Sequence, residues 1–389
     1  VLGEVAGGDD IEGAFDHRLF RRTVDEADLV VLSLRLAATG DAQVFAPTAC
    51  FNRDAAAFYK KWMKDLAADQ HPGGMVPDVI PDVIGGGGHT GWGDAAVIIP
   101  WTVYLQYGDV RILQEQYASM CMWIAFIEEK AGGDFLWDGD WHYGDWLSFD
   151  DSKSNYMGAY TTTDLIATAY FYRSTDLVAR IAAILGETED EVRYRKLASG
   201  ILEAFNQEFV TPNGRLVAHT QTAYTLALAF GLLDEEKAQR AAHYLAGDVE
   251  QFGHITTGFL GTPLISQVLT DHGRNDLAYK LLMRKEYPSW LYPVTMGATT
   301  IWERWDGIKP DGSFQDEGMN SFNHYAYGAI GNWLYTRVAG IQCHPDTPGY
   351  KHIIIQPEVS SKLDYVQASL ETMYGKIEVS WELNKGKLK

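Results

Sequence analysis

The stretch AQVFAPTACFNRDAAAFYKKWMKDLAAD, residues 42–69, decides how the rest of the chain is read. Phe51, Phe58, Trp62 and Leu66 recur there at spacings of seven, four and four, the stripe of a helix that turns one face to a core. Downstream lies a loop with Pro72, Pro77, Pro81 and the run Gly85 to Gly88. Helical stretches then follow at 94–107, 110–131, 161–185, 188–209, 220–231, 235–251, 260–272, 274–286 and 322–339. Thr188 with Glu191 has the spacing of a capping box, and Gly186 and Gly231 are helix stops. Ten or more helices in series, with almost no period-two alternation through Gly340, predict helical hairpins stacked into a toroid. A closed double ring of six pairs fits this length. An open solenoid is the rival, and the lack of an internal repeat of about 20–50 residues counts against it.

Both ends read differently. Residues 1–40 hold glycines and acids, then DEADLVVLSLRLAATG, whose apolar run fits a buried strand or a buried helix equally. After Gly340, YKHIIIQPEV, DYVQASLET and GKIEVSWEL are strand-like. Val366, Ala368 and Leu370 alternate, as do Ile377, Val379 and Trp381, and MYGK between them is a hairpin turn. So few strands make a weak sheet alone, which predicts a β-sandwich cut short at Lys389.

The balance of 32 Lys and Arg against 52 Asp and Glu leaves a net charge of −20. Such a surface repels nucleic acid and anionic membranes, so neither is expected as a partner. Cys50, Cys121 and Cys343 are odd in number and widely spaced, with neither metal-ligand nor disulfide spacing. HExxH, CxxC and G-x-S-x-G are absent, and GGGG at 85–88 follows no strand and lacks the P-loop lysine. No metal or cofactor is expected. No apolar run reaches the roughly 18 residues of a membrane span. The start VLGEVAGGDD has neither a basic signal-peptide region nor an initiator Met. That predicts a cytoplasmic protein whose true N-terminus lies elsewhere; oligomeric state is not legible.

The functional signal is concentrated in TTIWERWDGIKPDGSFQDEGMNSFNHYAYG, Thr299 to Gly328. Its rings and acids suit a sugar, since flat aromatics cover a pyranose face while carboxylates accept hydroxyl hydrogens and move protons. The plainer reading is an interhelical loop packed by its own aromatics. GGGGHTGWGDAA, with His89, Trp92 and Asp94, and FLWDGDWHYGDWLSFDD, with Trp141, Asp145 and Trp146, also precede helices. In a toroid the three loops converge at one end. Asp94 and Asp145 fit helix N-caps or loop ties as readily as a site, and Trp141 and Trp146 fit packing.

ATTIWERWDGIKPDGSFQDEGMNSFNHYAYGAIGNWLY resembles the corresponding stretch of bacterial α-L-rhamnosidases, as do TGDAQVFAPTACFN, GWGDAAVIIPW, GDWL, TQTAYTLALAFGLL and TTGFLGTPLI. The matches run in order from Thr39 to the C-terminus. This resemblance implies an all-α (α/α)6 barrel at 39–340, a partial C-terminal β-domain at 341–389 and an atypical segment at 1–38. It implies inverting hydrolysis of rhamnose-containing glycosides, in which two carboxyl groups roughly 6.5–9.5 Å apart hold the glycosidic bond and a water. Glu303 matches the general base. His324 and Asp41 match sugar-binding residues, and Trp92, Trp146 and Trp302 shape the pocket. Arg304, Asp94 and Asp145 join them as weaker candidates.

Upstream of Thr39 the resemblance breaks. The family reads DCPQRDERLGWTGDAQ where this chain has DLVVLSLRLAATGDAQ. Asp28 falls on a sugar-binding Asp, but Leu34 falls on the general-acid Glu, Ser33 on its neighbouring Asp and Ala38 on a Trp. Loss of general-acid help costs roughly 10²–10⁴-fold. Two explanations compete: residues 1–38 are a corrupted or out-of-frame translation, the favoured one, or the chain is a non-catalytic sugar-binding relative. Another glycosidase or a lyase on the same barrel ranks last, because the three loops carry few basic residues besides Arg304.

Overall fold

The computed structural model describes residues 2–6, 37–149, 160–316, 318, 320–344, 346–384 and 387–389. Asp28, Leu34 and their neighbours lie outside the described residues. A strand β1 (Leu2–Ala6) and a two-residue strand β2 (Ala37–Ala38) precede the first helix, α1 (Thr39–Asn52). The chain then runs through α2 (Ala56–Asp69), β3 (Val79–Ile80), α3 (Ala95–Tyr107), α4 (Arg111–Ala131), α5 (Thr163–Leu185) and α6 (Thr188–Phe209). It continues with α7 (Gln221–Ala229), α8 (Glu235–Phe252), α9 (Thr262–Asp271), α10 (Asn275–Met283) and the short α11 (Leu291–Thr295). A closing segment follows as three successive turns of different pitch: 3-10 (Ala326–Ala329), α (Ile330–Trp333) and π (Leu334–Val338).

The order of packing shows that the ring closes. α1 packs on α3, α3 on α5, α5 on α7, α7 on α9, α9 on the closing segment, and the closing segment back on α1. Burial separates the two rings. α1 buries 12 of its 14 residues, whereas α2 buries only Tyr59, Trp62, Met63 and Leu66, so α1 is an inner helix and α2 an outer one. Each large side chain in such a stripe contributes roughly 1.5–3 kcal/mol. The seam between first and last elements is tight. Thr48 Oγ1 donates to Ala329 O at 3.1 Å and accepts from Asn332 N at 2.9 Å. A Cβ on Gly331 would lie 2.4 Å from the Thr48 methyl, so only glycine allows this approach.

Two local expectations are corrected. The stripe read across residues 42–69 belongs to two helices, because Arg53 turns extended (φ −146°, ψ 160°) and Asp54 Oδ1 accepts from Ala56 N. Phe51 therefore faces the inner ring, stacked on Tyr335 with centroids 4.6 Å apart, and Tyr59 rather than Phe58 completes the outer stripe. The capping box at Thr188 is not made. Glu187 occupies the N-cap, and the Glu191 carboxylate pairs with Arg195 at 2.8 Å one turn on. Gly186 does end α5 in the left-handed region (φ 79°).

The β portion packs against the barrel. β4 (Ile341–Cys343) pairs with β5 (Ile353–Ile355), and β6 (Tyr365–Thr372) forms a hairpin with β7 (Gly375–Asn384). Val366, Ala368 and Leu370 turn inward as their alternation requires, and Trp381 Nε1 donates to Val338 O at 2.9 Å, joining sheet to closing segment. Two additions were not legible in the sequence: β1 pairs with the outer edge of β6, and β8 (Lys387–Leu388) pairs with β7.

One buried acid makes the barrel pH-sensitive. Burial of Asp248 on α8 pushes its carboxyl up to about 6, against the opposing help of Gln221. The folded state thus keeps a proton that the unfolded chain has already released, so this group's contribution is present below the unfolded value of 3.8 and lost as pH rises through about 6. Asp248→Asn should flatten the fall in melting temperature between pH 4 and pH 7 as read by thermal unfolding. An unchanged slope would place the pH dependence elsewhere.

Candidate active site

Four loops meet at one end of the inner ring, held by bonds to α1 and to one another. Thr39 N–H donates to Asp78 O at 2.8 Å, and Gln43 Nε2 to Gly91 O at 3.0 Å. The 137–149 loop is fastened to the 254–261 loop by Phe259 N–H to Trp146 O at 2.9 Å, and to the last loop by Tyr327 OH to Leu147 O at 3.3 Å.

The 299–328 loop folds back on itself like a hairpin. Glu303 N–H donates to Ser321 O (2.9 Å), His324 N–H to Ile301 O (2.8 Å), and Ser321 N–H to Glu303 Oε2 (2.9 Å). One carboxylate oxygen of half-buried Glu303 is thereby fixed by backbone, and no hydrogen bond within the described residues engages Oε1. Ring packing stiffens the loop: Trp305 stacks on Tyr327 at 3.8 Å, and Trp302 meets Phe322 edge-on at 5.1 Å. Pairs of this kind contribute about 0.5–1.5 kcal/mol beyond their burial.

His324 faces α1. Its Nε2 lies 3.0 Å from Asp41 Oδ1, and Asp41 sits in the first turn of that helix, where the N-terminal dipole favours an anion. Burial disfavours the imidazolium, but the Asp41 bond and the charges of Asp41 and Glu303 together raise the His324 pKa above its ordinary value. Two carboxylates thus favour the charged form of an imidazole set between loop and helix. Trp92 flanks it, pressed on the residue before Asp41; a Cβ on Gly40 would sit 2.7 Å from its ring. Trp92 in turn packs on Tyr143 at 4.5 Å, and Tyr143 on Trp146 at 5.7 Å.

The remaining sequence candidates divide. Trp302 packs edge-on against Phe322 and closes the loop's interior. Arg304 Nε lies 3.6 Å from Asp306 Oδ1 beside Glu303, so it adds positive charge next to that carboxylate. Asp94 and Asp145 are ties. Asp94, wholly buried, accepts from Gly91 N–H, Trp123 Nε1 and Ser174 Oγ at 2.8, 3.1 and 2.6 Å. Asp145 accepts from the backbone N–H groups of Gly258, Leu260 and Gly261 at 2.7, 2.8 and 3.1 Å, and from the Thr222 hydroxyl. With those oxygens committed, neither offers a sugar an acceptor. Sequence reasoning passed over Asp78 and Phe259. Asp78 clamps His89 and Tyr143, and Phe259 packs on His324 at 5.4 Å; only the quoted TTGFLGTPLI motif pointed near the second.

A closed ring of helical hairpins with a carboxylate, histidine and aromatic constellation at one mouth is the class of six-hairpin glycosidases. Residues 34–338 match the family model described as the bacterial alpha-L-rhamnosidase six-hairpin glycosidase domain, and residues 340–389 match the bacterial alpha-L-rhamnosidase C-terminal domain. The chain belongs to the bacterial α-L-rhamnosidase family. It is 42% identical to an alpha-L-rhamnosidase of Streptomyces avermitilis and 44% to one of Formosa agariphila, each over 90% of this chain. It spans 33% and 38% of those relatives' lengths, about a third. Among solved structures, the Streptomyces avermitilis enzyme complexed with L-rhamnose superposes with a TM-score of 0.85 at 41% identity, covering 91% of this chain and 33% of that one. The Aspergillus terreus enzyme gives 0.84 at 36% identity, covering 90% and 41%.

Two outcomes check this geometry. Asp145→Ala leaves three backbone donors unsatisfied and should destabilise the fold by on the order of 3 kcal/mol in denaturant unfolding; a change within error would mean that water replaces the carboxylate. For His324, a raised folded pKa means stabilisation complete below about 6.5 and lost as pH climbs through the higher folded value. Asp41→Asn should move the imidazole titration, followed by NMR, to lower pH. No movement would show that Asp41 does not hold the proton.

Proposed function

We propose that this chain acts on terminal α-L-rhamnosides by inverting hydrolysis, with Glu303 as general base. The observation that carries the reading is the constellation of Glu303 and His324 on the last loop with Asp41 at the start of α1, at the ring mouth, in a family whose Streptomyces avermitilis member was solved in complex with L-rhamnose. Glu303 Oε1 takes a proton from water while the water oxygen bonds to C1 of the sugar. The C1–O bond to the leaving group breaks on the opposite face, and the departing oxygen carries off its electron pair. His324 and Asp41 hold sugar hydroxyls, the imidazole N–H donating and the carboxylate accepting, and Trp92 and Trp146 wall the ring.

Leu34 at the family's acid position means that the departing oxygen gains no proton from that residue. Turnover therefore depends on a leaving group stable as an anion. p-Nitrophenyl α-L-rhamnoside should be cleaved with release of the inverted anomer, visible by NMR before mutarotation. Glu303→Gln should lower its kcat/KM by roughly 10²–10⁴-fold with rhamnose binding preserved in calorimetry. An unchanged rate would remove Glu303 from the mechanism. Leu34 also favours the second reading, a sugar-binding protein on the same barrel. Rhamnose binding with no turnover of the activated substrate, and little change in Leu34→Glu, would decide for it.

A further inference from the structure

Beyond the rhamnose pocket, the aromatic chain continues outward to the surface. Tyr143, already in contact with Trp92, meets Trp141 at 4.8 Å and His89 at 4.9 Å, and His89 meets Trp141 edge-on at 5.0 Å and 87°. Trp141 is 65 % exposed, yet its ring is fixed by these two neighbours. They are fixed in turn by one buried acid: Asp78 Oδ2 accepts from His89 Nδ1 at 2.7 Å and from Tyr143 OH at 2.9 Å. With Nδ1 committed as donor, His89 Nε2 on the far side of the ring has no hydrogen-bond partner among the described residues. It accepts a hydroxyl hydrogen when neutral and donates when protonated. Asp78 itself is set by the barrel, since its carbonyl receives the Thr39 amide at the start of α1.

We propose that Trp141, His89 and Tyr143 form a subsite for the sugar to which the terminal rhamnose is joined, a proposal that rests on the rhamnoside reading above. Continuity argues for it: the platform begins at the wall formed by Trp92 and Tyr143 and lies outward of it, where the leaving part of a substrate must project. Its chemistry argues for a pyranose, because a held indole face covers an apolar ring surface while an unengaged imidazole nitrogen at its edge meets a hydroxyl. A surface Trp serving only to pack would be covered by the side chains that hold it; here His89 and Tyr143 meet it in T-shaped contacts and leave it largely in solvent.

Calorimetry on the full chain with methyl α-L-rhamnoside, a rhamnosyl-glucose disaccharide and phenyl α-L-rhamnoside tests this. Trp141→Ala should weaken the disaccharide roughly tenfold, the order expected for losing one stacking contact, and leave methyl rhamnoside within about twofold. Trp141→Phe keeps a ring and should recover most of the loss, which separates stacking from any general disturbance of the loop. Equal weakening of disaccharide and methyl rhamnoside, or no weakening of either, overturns the subsite. Weakening of the phenyl rhamnoside alone overturns the assignment to a sugar and gives the platform to an aromatic leaving group. If methyl α-L-rhamnoside does not bind the wild type, the rhamnoside reading falls and the subsite falls with it.

Discussion

The contact between Asp41 and His324 joins the two ends of the barrel. Asp41 stands in the first turn of the first inner helix, and His324 just precedes the last inner segment, so their 3.0 Å contact crosses the seam at which the ring closes. Its electrostatics depend on both neighbours. Burial disfavours the charged imidazole, and a carboxylate from the opposite side of the seam together with Glu303 on its own loop outweighs that and raises its pKa. Whatever keeps α1 against the closing segment also keeps the charge at the site.

Acids in this protein fall into two kinds, told apart by where their oxygens point. Asp94 and Asp145 spend theirs on backbone amides, hydroxyls and an indole, and burial raises the pKa of each despite those bonds. They shape the loops and take no part in recognition. Asp41 and Glu303 are each gripped on one side and open on the other, the arrangement needed for groups that must both stay in place and exchange partners. Residue type does not tell Asp41 from Asp94 or Asp145. Hydrogen-bond saturation separates them.

That distinction marks what the sequence could and could not say. Helix periods placed nearly every helix within a few residues, because inner helices are apolar on most sides and outer ones on a single stripe, and both patterns survive as composition. The break at Arg53 was missed because the stripe continues in register across it. The capping box read at Thr188 is not made, because a Thr and a Glu three apart satisfy the pattern whether or not the helix starts one residue earlier. At the site, Glu303, His324, Asp41 and Trp92 came from motif resemblance; the structure brings His324 to Asp41 at 3.0 Å and lays Trp92 against Gly40 beside it. Asp78 escaped notice because it lies in a proline-rich loop with no periodicity, and its importance arises from two rings that reach it from 11 and 65 residues away in the chain.

The seam between Thr48 and Gly331 has a consequence for order in time. Contacts there span some 280 residues of sequence, so they form only after nearly all of the helical region has emerged and the intervening hairpins have stacked. Loop-closure entropy makes so distant a contact a late event. Until that last docking His324 has no Asp41, and the imidazole has lost the nearer of the two carboxylates that hold its charge. A nascent or partly opened ring therefore lacks the Asp41–His324 pair: closing the barrel and setting the electrostatics of its mouth are one and the same step.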